Sequence, residues 1–167
     1  LLREQPKVSE EFTIETIEDN FSFVWVRMPE YDGAQDRRRV WNWFKFAWKL
    51  LKLPKVIKDR PDDIIYSSPS LIPYLGAEKL ARRTGSRLIW DIRDLWPLTL
   101  IELGNFTKKH PFIRVTQWVE NKACRTSDFV VSNLPYAIEY LKEKGVDSSR
   151  FLWLPNGFDL EEFENTE

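Results

Sequence analysis

The sequence predicts an α/β fold in which a parallel β-sheet is flanked by helices and preceded by a β-hairpin. From Pro61 onward, short apolar strand patterns alternate with amphipathic helix patterns, and such strands pair in parallel through right-handed crossovers. Before Pro29, the segments Phe12–Ile17 and Phe21–Val26 alternate apolar and polar residues around a turn at Glu18-Asp19-Asn20. That pattern is typical of a hairpin.

The regular part of the chain has clear boundaries between its elements. Gly85 and Pro97 bound the most apolar strand, Pro135 stands in the first turn of the last helix, and Pro54 ends a helix that precedes the regular part. The predicted strands are Asp63–Ser67, Arg87–Ile92, Asp128–Ser132 and Arg150–Leu154, and the predicted helices are Arg38–Leu53, Leu71–Arg83, Pro111–Arg125 and Pro135–Lys144.

Composition narrows the classes of protein that fit. A chain of 167 residues, 43% hydrophobic and 31% charged, is typical of one globular domain. The net charge of −1 does not suggest a nucleic-acid partner, although Arg37 to Lys58 contains eight basic residues and no acidic one. A single Cys124 excludes an internal disulfide and fits a reducing, cytoplasmic setting. With only one histidine, we expect no metal site, and no apolar run is long enough to span a bilayer.

Polar residues follow the carboxyl ends of the predicted strands, where ligands bind in open α/β sheets. Asp91, Arg93 and Asp94 follow the most apolar strand. A carboxylate there can orient or deprotonate a hydroxyl, and the guanidinium suits a phosphate or a carboxylate. The alternative is an internal Asp–Arg pair that fixes the loop. The other strand ends contribute Ser67-Ser68, Asn133 and Asn156-Gly157.

These additional residues also have structural interpretations. Ser68 precedes a helix, so its hydroxyl is suited to capping the helix or to binding an anion there. Asn133 and Asn156-Gly157 are compatible with ordinary turns. Glu102 lies in an apolar run and is either a buried, partnered acid or the exposed side of a turn. The glycines match neither the dinucleotide-binding fingerprint nor the P-loop, so nucleotide binding by those motifs is unsupported.

The helix predicted at Arg38–Leu53 is unusually aromatic and basic. Its apolar arc is wider than packing on one core requires, and its polar strip contains three lysines. Aromatic and basic residues together suit the interface of an anionic membrane, or a partner protein. The alternative is an internal helix that is covered on two sides. The residues predicted to face a membrane are Trp41, Lys45, Trp48, Lys49 and Lys52.

Three motifs resemble the N-terminal half of family 4 glycosyltransferases. They are Asp91-Ile92-Arg93-Asp94-Leu95-Trp96-Pro97, Ile101-Glu102-Leu103-Gly104, and the run from Trp153 to Phe163 that contains Pro155-Asn156-Gly157. Within that family the chain is similar to the group that builds bacterial capsule and O-antigen sugars, typified by N-acetyl-fucosamine transferases. The resemblance extends from about Phe12 to Phe163.

The resemblance implies the two-domain GT-B architecture, in which two Rossmann-like domains face each other. The N-terminal domain binds the acceptor, which is lipid-linked in this group, and the C-terminal domain binds the nucleotide-sugar donor. The implied reaction transfers a sugar with retention of anomeric configuration and uses no cofactor. Residues 1–158 would be the N-terminal domain without its first β-α unit, and residues 159–167 the start of the linker. We therefore expect this chain alone to be inactive, and the enzyme to lie peripherally on the cytoplasmic face of the plasma membrane.

Position and resemblance together assign roles to the site residues. Many family members carry a histidine where this chain has Arg93, which cannot accept a proton, so Asp94 and Asp91 are the predicted catalytic residues. The predicted acceptor or phosphate ligands are Arg93, Ser68, Trp96, Glu102 and Asn133, and Asn156 and Gly157 are predicted to border the donor cleft. The alternative is a non-catalytic α/β domain that docks on a membrane or a partner.

Overall fold

The computed structural model of the chain describes residues 8, 10–33, 36–68 and 70–157. Within these residues the strands and helices follow the predicted order. The strands are β1 (Phe12–Glu18), β2 (Phe21–Val26), β3 (Asp63–Ser68), β4 (Arg87–Ile92), β5 (Phe129–Ser132) and β6 (Phe151–Trp153). The α-helices are α1 (Arg37–Leu50), α2 (Tyr74–Thr84), α3 (Leu98–Glu102), α4 (Pro111–Thr126) and α5 (Ala137–Lys142), and 3-10 turns cover Leu53–Lys55 and Ser148–Arg150.

The predicted hairpin and the predicted parallel sheet are both confirmed. β1 and β2 pair antiparallel, with Thr13 opposite Trp25. β3, β4, β5 and β6 form a sheet in that order, and every neighbouring pair is parallel. The carboxyl ends of these four strands therefore share one edge, which we call the carboxyl edge. The chain has the α/β, Rossmann-like fold that was predicted.

The core lies between one face of this sheet and the helices. Because the strands follow in sequential order, right-handed crossovers place the connecting helices on the same face. Buried side chains of α2, α4 and α5 pack there against alternate residues of the strands, among them Leu88, Trp90 and Val130. On the opposite face, Ile65, Phe129 and Leu152 remain exposed in the described part of the chain.

Three of the predicted helices differ from the prediction by two or three residues at one or both ends. α1 ends at Leu50 because the next amides, of Leu51 and Lys52, bond to carbonyls three residues earlier and tighten the backbone before Pro54. α2 begins at Tyr74, after a turn in which the Tyr74 amide bonds to the Leu71 carbonyl. α5 covers Ala137–Lys142 rather than the ten residues from Pro135, and the short helix α3 was not predicted. At five residues, α3 is too short for a periodic pattern to reveal it.

Close packing fixes α1 beside the sheet. Gly76 of α2 faces the backbone of α1, and a Cβ at this position would lie 2.2 Å from the Ala47 carbonyl oxygen. Nearer its beginning, α1 presents Trp43, whose ring lies 5.8 Å from that of Trp96 and 5.9 Å from that of Phe112. One side of α1 is thus packed against α2 and against the loop that follows β4.

Candidate active site

Asp91 lies at the centre of a hydrogen-bonded group at the carboxyl edge. It occupies the penultimate position of β4, is only 7% exposed, and pairs in register with Ser67 of β3. Its Oδ2 atom accepts hydrogen bonds from Ser67 Oγ at 2.7 Å and from Arg93 Nε at 2.8 Å. Its Oδ1 atom accepts no hydrogen bond from the described residues and is the atom available to a ligand.

Arg93 connects this group to the chain that follows β6, the last strand of the sheet. Its Nη1 atom donates to Asn156 Oδ1 at 2.7 Å, and Asn156 lies just beyond β6. The side chain is 50% exposed, and its Nη2 atom has no partner among the described residues. A guanidinium that is oriented by two contacts and still has donors facing solvent is suited to a phosphate or a carboxylate.

Asp94 forms its hydrogen bonds with residues that are close to it in sequence. Its Oδ2 atom accepts from the Trp96 indole at 2.8 Å, and its Oδ1 atom accepts from Thr99 Oγ1 at 2.6 Å. Both oxygens are therefore occupied by donors of its own loop. Trp96 is likewise held in the loop, packed against Trp43 and Phe112. These contacts hold the loop after β4 together, whereas the Asp–Arg pair considered as the alternative is formed by Asp91 and Arg93. The catalytic role predicted for Asp94 stays a prediction.

The remaining predicted residues are placed less closely together. Asn133 follows β5, and its Oδ1 atom is buried without a hydrogen-bond partner among the described residues. Leaving such an acceptor unpaired costs about 1–3 kcal/mol, so a ligand hydroxyl or N–H that reached it would relieve that cost. Glu102 is exposed at the end of α3, and Gly157 is exposed at the last described position. The Ser68 side chain lies outside the part of the chain that the structure describes.

Sequence reasoning missed two residues of this region. Ser67 was mentioned only as part of its loop, yet it is the residue that bonds to Asp91. The signal was available, because equivalent positions of neighbouring parallel strands point to the same face, and Ser67 and Asp91 are equivalent positions. Thr99 was missed because its contact with Asp94 depends on the unpredicted helix α3.

A small cavity opens next to the Asp91 group. It has a volume of about 230 Å³ and lies between α1, the end of β3 and the beginning of α2. Asn42 and Trp43 line one side, and Ser67 and Ser70 line the other. Because Ser67 also bonds to Asp91, the cavity and the hydrogen-bonded group form one continuous region of the carboxyl edge.

Large apolar side chains are exposed around the same edge. Tyr136, which follows β5, is 75% exposed; Trp153 and Leu154, at the end of β6, are 51% and 58% exposed; and Leu103, which follows α3, is 81% exposed. Several exposed apolar residues on one side of a domain are typical of an interaction surface.

The outward side of α1 is aromatic. Trp41, Phe44 and Trp48 are 61%, 42% and 59% exposed. We call these three residues and Lys45, which has no partner among the described residues, the α1 outer surface. No helix in the described part of the chain has the length and apolarity needed to cross a membrane.

Two of the lysines expected to face a membrane are paired with the protein instead. Lys49 turns inward, with its Nζ atom 2.5 Å from the Arg27 carbonyl oxygen and 3.7 Å from Glu11. Lys52 bonds to Glu11 at 2.8 Å and lies 4.0 Å from the centre of the Trp48 ring. The prediction of five outward-facing residues is therefore corrected for Lys49, because the segment beside the hairpin supplies partners that the helix pattern alone does not reveal.

The most deeply buried charges lie away from the carboxyl edge. Glu120 of α4 is 1% exposed and accepts hydrogen bonds from Lys144 at 2.6 Å and Tyr140 at 3.0 Å. Burial raises the pKa of Glu120, and burial beside this carboxylate raises the pKa of Tyr140. Because Glu120 makes contacts with α5 and its following turn, we assign this group to the packing of α4 and α5.

A protein-family model matches most of the chain. The family model described as "Glycosyl transferase 4-like domain" matches residues 7–157, which include all the described strands together with Asp91, Arg93 and Asn156. No curated protein matches the chain.

Proposed function

The chain belongs to the family of glycosyl transferase 4-like domains, and from this we propose that it is the acceptor-binding half of a glycosyltransferase whose acceptor lies at the carboxyl edge. One observation carries the proposal. Asp91, Arg93 and Asn156, contributed by the ends of β4 and β6, form a single hydrogen-bonded group at the edge where parallel α/β sheets bind ligands.

Each residue of this group has a chemical role in the proposal. Arg93 binds a phosphate of the acceptor through the donors that face solvent. Asp91 accepts at Oδ1 the proton of the attacking hydroxyl, while Ser67 and Arg93 hold its other oxygen in place. The hydroxyl oxygen bonds to the anomeric carbon of the donor sugar, and the bond from that carbon to the nucleotide breaks, so the nucleotide leaves with its phosphates. Asn133 accepts a hydrogen bond from a hydroxyl or an amide of the acceptor. Asp94, Trp96 and Thr99 position the loop through their contacts with one another.

The nucleotide-sugar donor is bound by a second α/β domain that packs over the carboxyl edge. Exposed Leu103, Tyr136, Trp153 and Leu154 support this part of the proposal, because they offer that domain an apolar contact surface. Asn156 and Gly157 border the cleft between the two domains. The reaction retains the anomeric configuration of the sugar and requires no metal.

The acceptor is a lipid-linked saccharide, and the enzyme acts in bacterial capsule or O-antigen synthesis at the cytoplasmic face of the plasma membrane. Support comes from the motif Arg93-Asp94-Leu95-Trp96-Pro97 and from the α1 outer surface, whose exposed tryptophans suit a membrane interface. The transferred group within this proposal is an N-acetylated amino sugar such as N-acetyl-fucosamine.

A second candidate is a non-catalytic domain that docks on membranes or partners through α1. The exposed Trp41, Phe44 and Trp48 favour it. The two candidates differ in what the carboxyl edge does, since only the first requires that edge to bind an acceptor.

A binding and transfer assay tests the proposal. We expect this chain alone to bind a short-prenyl diphosphate N-acetylhexosamine and to transfer no sugar, and the same chain joined to a donor-binding domain of its family to transfer it. In the joined protein, Asp91→Asn should lower kcat by about 100-fold or more, because general bases contribute about 10²–10⁴-fold. Unchanged turnover in that variant would remove Asp91 from the reaction.

A further inference from the structure

A second cavity lies at the end of α1 that is remote from the carboxyl edge. It has a volume of about 630 Å³ and is formed by the turn after α1, the segment that leads into β3, and the last turn of α2. Its apolar lining consists of Leu51, Leu53, Pro54, Ile57, Pro61 and Leu80. We call this cavity the α1 end groove.

The α1 end groove is strongly basic at its margin. Four basic residues line it, namely Lys55, Lys58, Arg60 and Arg83. Asp59 is the acidic residue among the described lining residues. The two arginines already bind helix-end carbonyls, Arg60 that of Thr84 and Arg83 that of Leu51 at 3.4 Å. They neutralise the negative ends of α2 and α1.

Lys55 and Lys58 do not bind helix-end carbonyls. Both are exposed, and no described residue forms a hydrogen bond or an ion pair with either amine. An apolar cavity with two unpaired ammonium groups at its mouth is complementary to a molecule that has an apolar part next to a negative charge. A free phosphate would satisfy the lysines and leave the apolar lining without a partner.

The lining of the groove begins close to the α1 outer surface along the chain. Trp48, in the last turn of α1, is 59% exposed, and Leu51 of the groove follows three residues later. Ile57, on the other side, is 38% exposed. The exposed side chains of Trp48 and Ile57 thus lie within a few residues of the groove lining on either side of Leu51 and Leu53.

We propose that the α1 end groove binds an anionic phospholipid of the membrane on which the α1 outer surface rests, with Lys55 and Lys58 at the headgroup phosphate. This inference rests on the membrane location in the proposed function, to which it adds a defined lipid site and a selectivity for negatively charged lipid. Aromatic side chains provide insertion into the interface, and the two lysines provide recognition of charge.

Vesicle flotation of the chain tests this inference. We compare vesicles of phosphatidylcholine alone with vesicles that also contain phosphatidylglycerol, using wild type, the double variant Lys55→Gln/Lys58→Gln, and the control Lys108→Gln/Lys109→Gln. The control removes the same charge from an exposed segment near the beginning of α4. The groove variant should bind the anionic vesicles about 30-fold more weakly, which corresponds to about 1 kcal/mol for each lysine. The control should bind like wild type.

A third variant, Trp41→Ala/Trp48→Ala, separates the two levels of the proposal. If it loses vesicle binding while the groove variant behaves like the control, the groove inference is overturned and membrane docking through α1 stands. If wild type binds neither kind of vesicle, both are overturned. Soluble dihexanoyl-phosphatidylglycerol should also shift the amide resonances of residues 51–61, and glycerol 3-phosphate should not. Equal shifts with both would show a phosphate site without lipid recognition, contrary to the inference.

Discussion

Arg93 at the end of β4 donates a hydrogen bond of 2.7 Å to Asn156 beyond the end of β6, across 63 residues of sequence. The same guanidinium bonds to Asp91, so one side chain joins the two strand ends that carry the glycosyltransferase-like motifs. The motif residues are therefore neighbours in space, and their contacts orient the arginine toward solvent at the carboxyl edge. The following predictions test that arrangement and the packing that supports it.

Asp94→Ala should destabilise the loop after β4. The substitution removes the acceptors of the Trp96 indole and the Thr99 hydroxyl, and we expect the free energy of unfolding to fall by about 1–2 kcal/mol. Urea unfolding measures this loss. Asp59→Ala, at an exposed carboxylate with no described partner, serves as the control and should change stability by less than about 0.5 kcal/mol. Equal effects of both variants would mean that Asp94 does not fix the loop.

Gly76→Ala should destabilise the protein although alanine is the better helix former. The added methyl group would lie 2.2 Å from the Ala47 carbonyl oxygen, so α1 must move away from α2. Overpacking of this kind costs about 1–3 kcal/mol, whereas the gain in helix propensity is about 1 kcal/mol. Thermal and urea unfolding provide the measurement. A more stable variant would contradict the close contact between α1 and α2.

Cys124 should resist alkylation in the folded protein. Burial raises the pKa of the thiol to about 12, and its side chain is fully buried beside the sheet. At pH 8 the thiolate fraction is then on the order of 10⁻⁴. Iodoacetamide should therefore react only with the unfolded state, and the rate should rise with urea in parallel with the unfolded fraction. Rapid alkylation in the absence of urea would contradict the position of Cys124 in the core.

Glu120 should make stability fall as the pH rises. Burial raises the pKa of its carboxyl in the folded protein above the ordinary value of 4.5, so the folded state holds the proton more tightly than the unfolded state. The stability from this group is present below the unfolded pKa and is lost as the pH rises through the folded pKa. Glu120→Gln cannot ionise, and its free energy of unfolding should lack this decline. Urea unfolding from pH 4 to 8 measures the difference, and parallel pH profiles would contradict it.

The sequence predicted most of the fold because the pattern and the structure depend on the same local rules. Period-two alternation located the hairpin, and the apolar run bounded by Gly85 and Pro97 gave the bounds of β4 as the structure has them. Three-residue boundary shifts arose at Leu51 and Leu71, where turns replace regular helix. The five residues of α3 carry too little periodicity to be recognised.

The site was less predictable because its contacts are tertiary. The prediction that Asp91, Arg93 and Asn156 lie at one edge is confirmed, because parallel strands share a direction. The occupation of both Asp94 oxygens depends on the fold of one loop, and the inward turn of Lys49 depends on the hairpin that packs beside α1. Neither contact follows from spacing along the chain.

Binding of the acceptor at the carboxyl edge through Arg93 can be measured directly. The measurement is a calorimetric titration of this chain with farnesyl diphosphate carrying N-acetylglucosamine, using wild type, Arg93→Ala and the control Arg125→Ala. Arg125 is an exposed arginine in the last turn of α4, without a described partner and at the opposite end of the sheet. We predict that Arg93→Ala weakens binding at least about tenfold, the equivalent of about 1.4 kcal/mol for a charge-assisted hydrogen bond, and that Arg125→Ala binds like wild type. Equal affinity of Arg93→Ala and wild type would mean that the acceptor does not bind at Arg93.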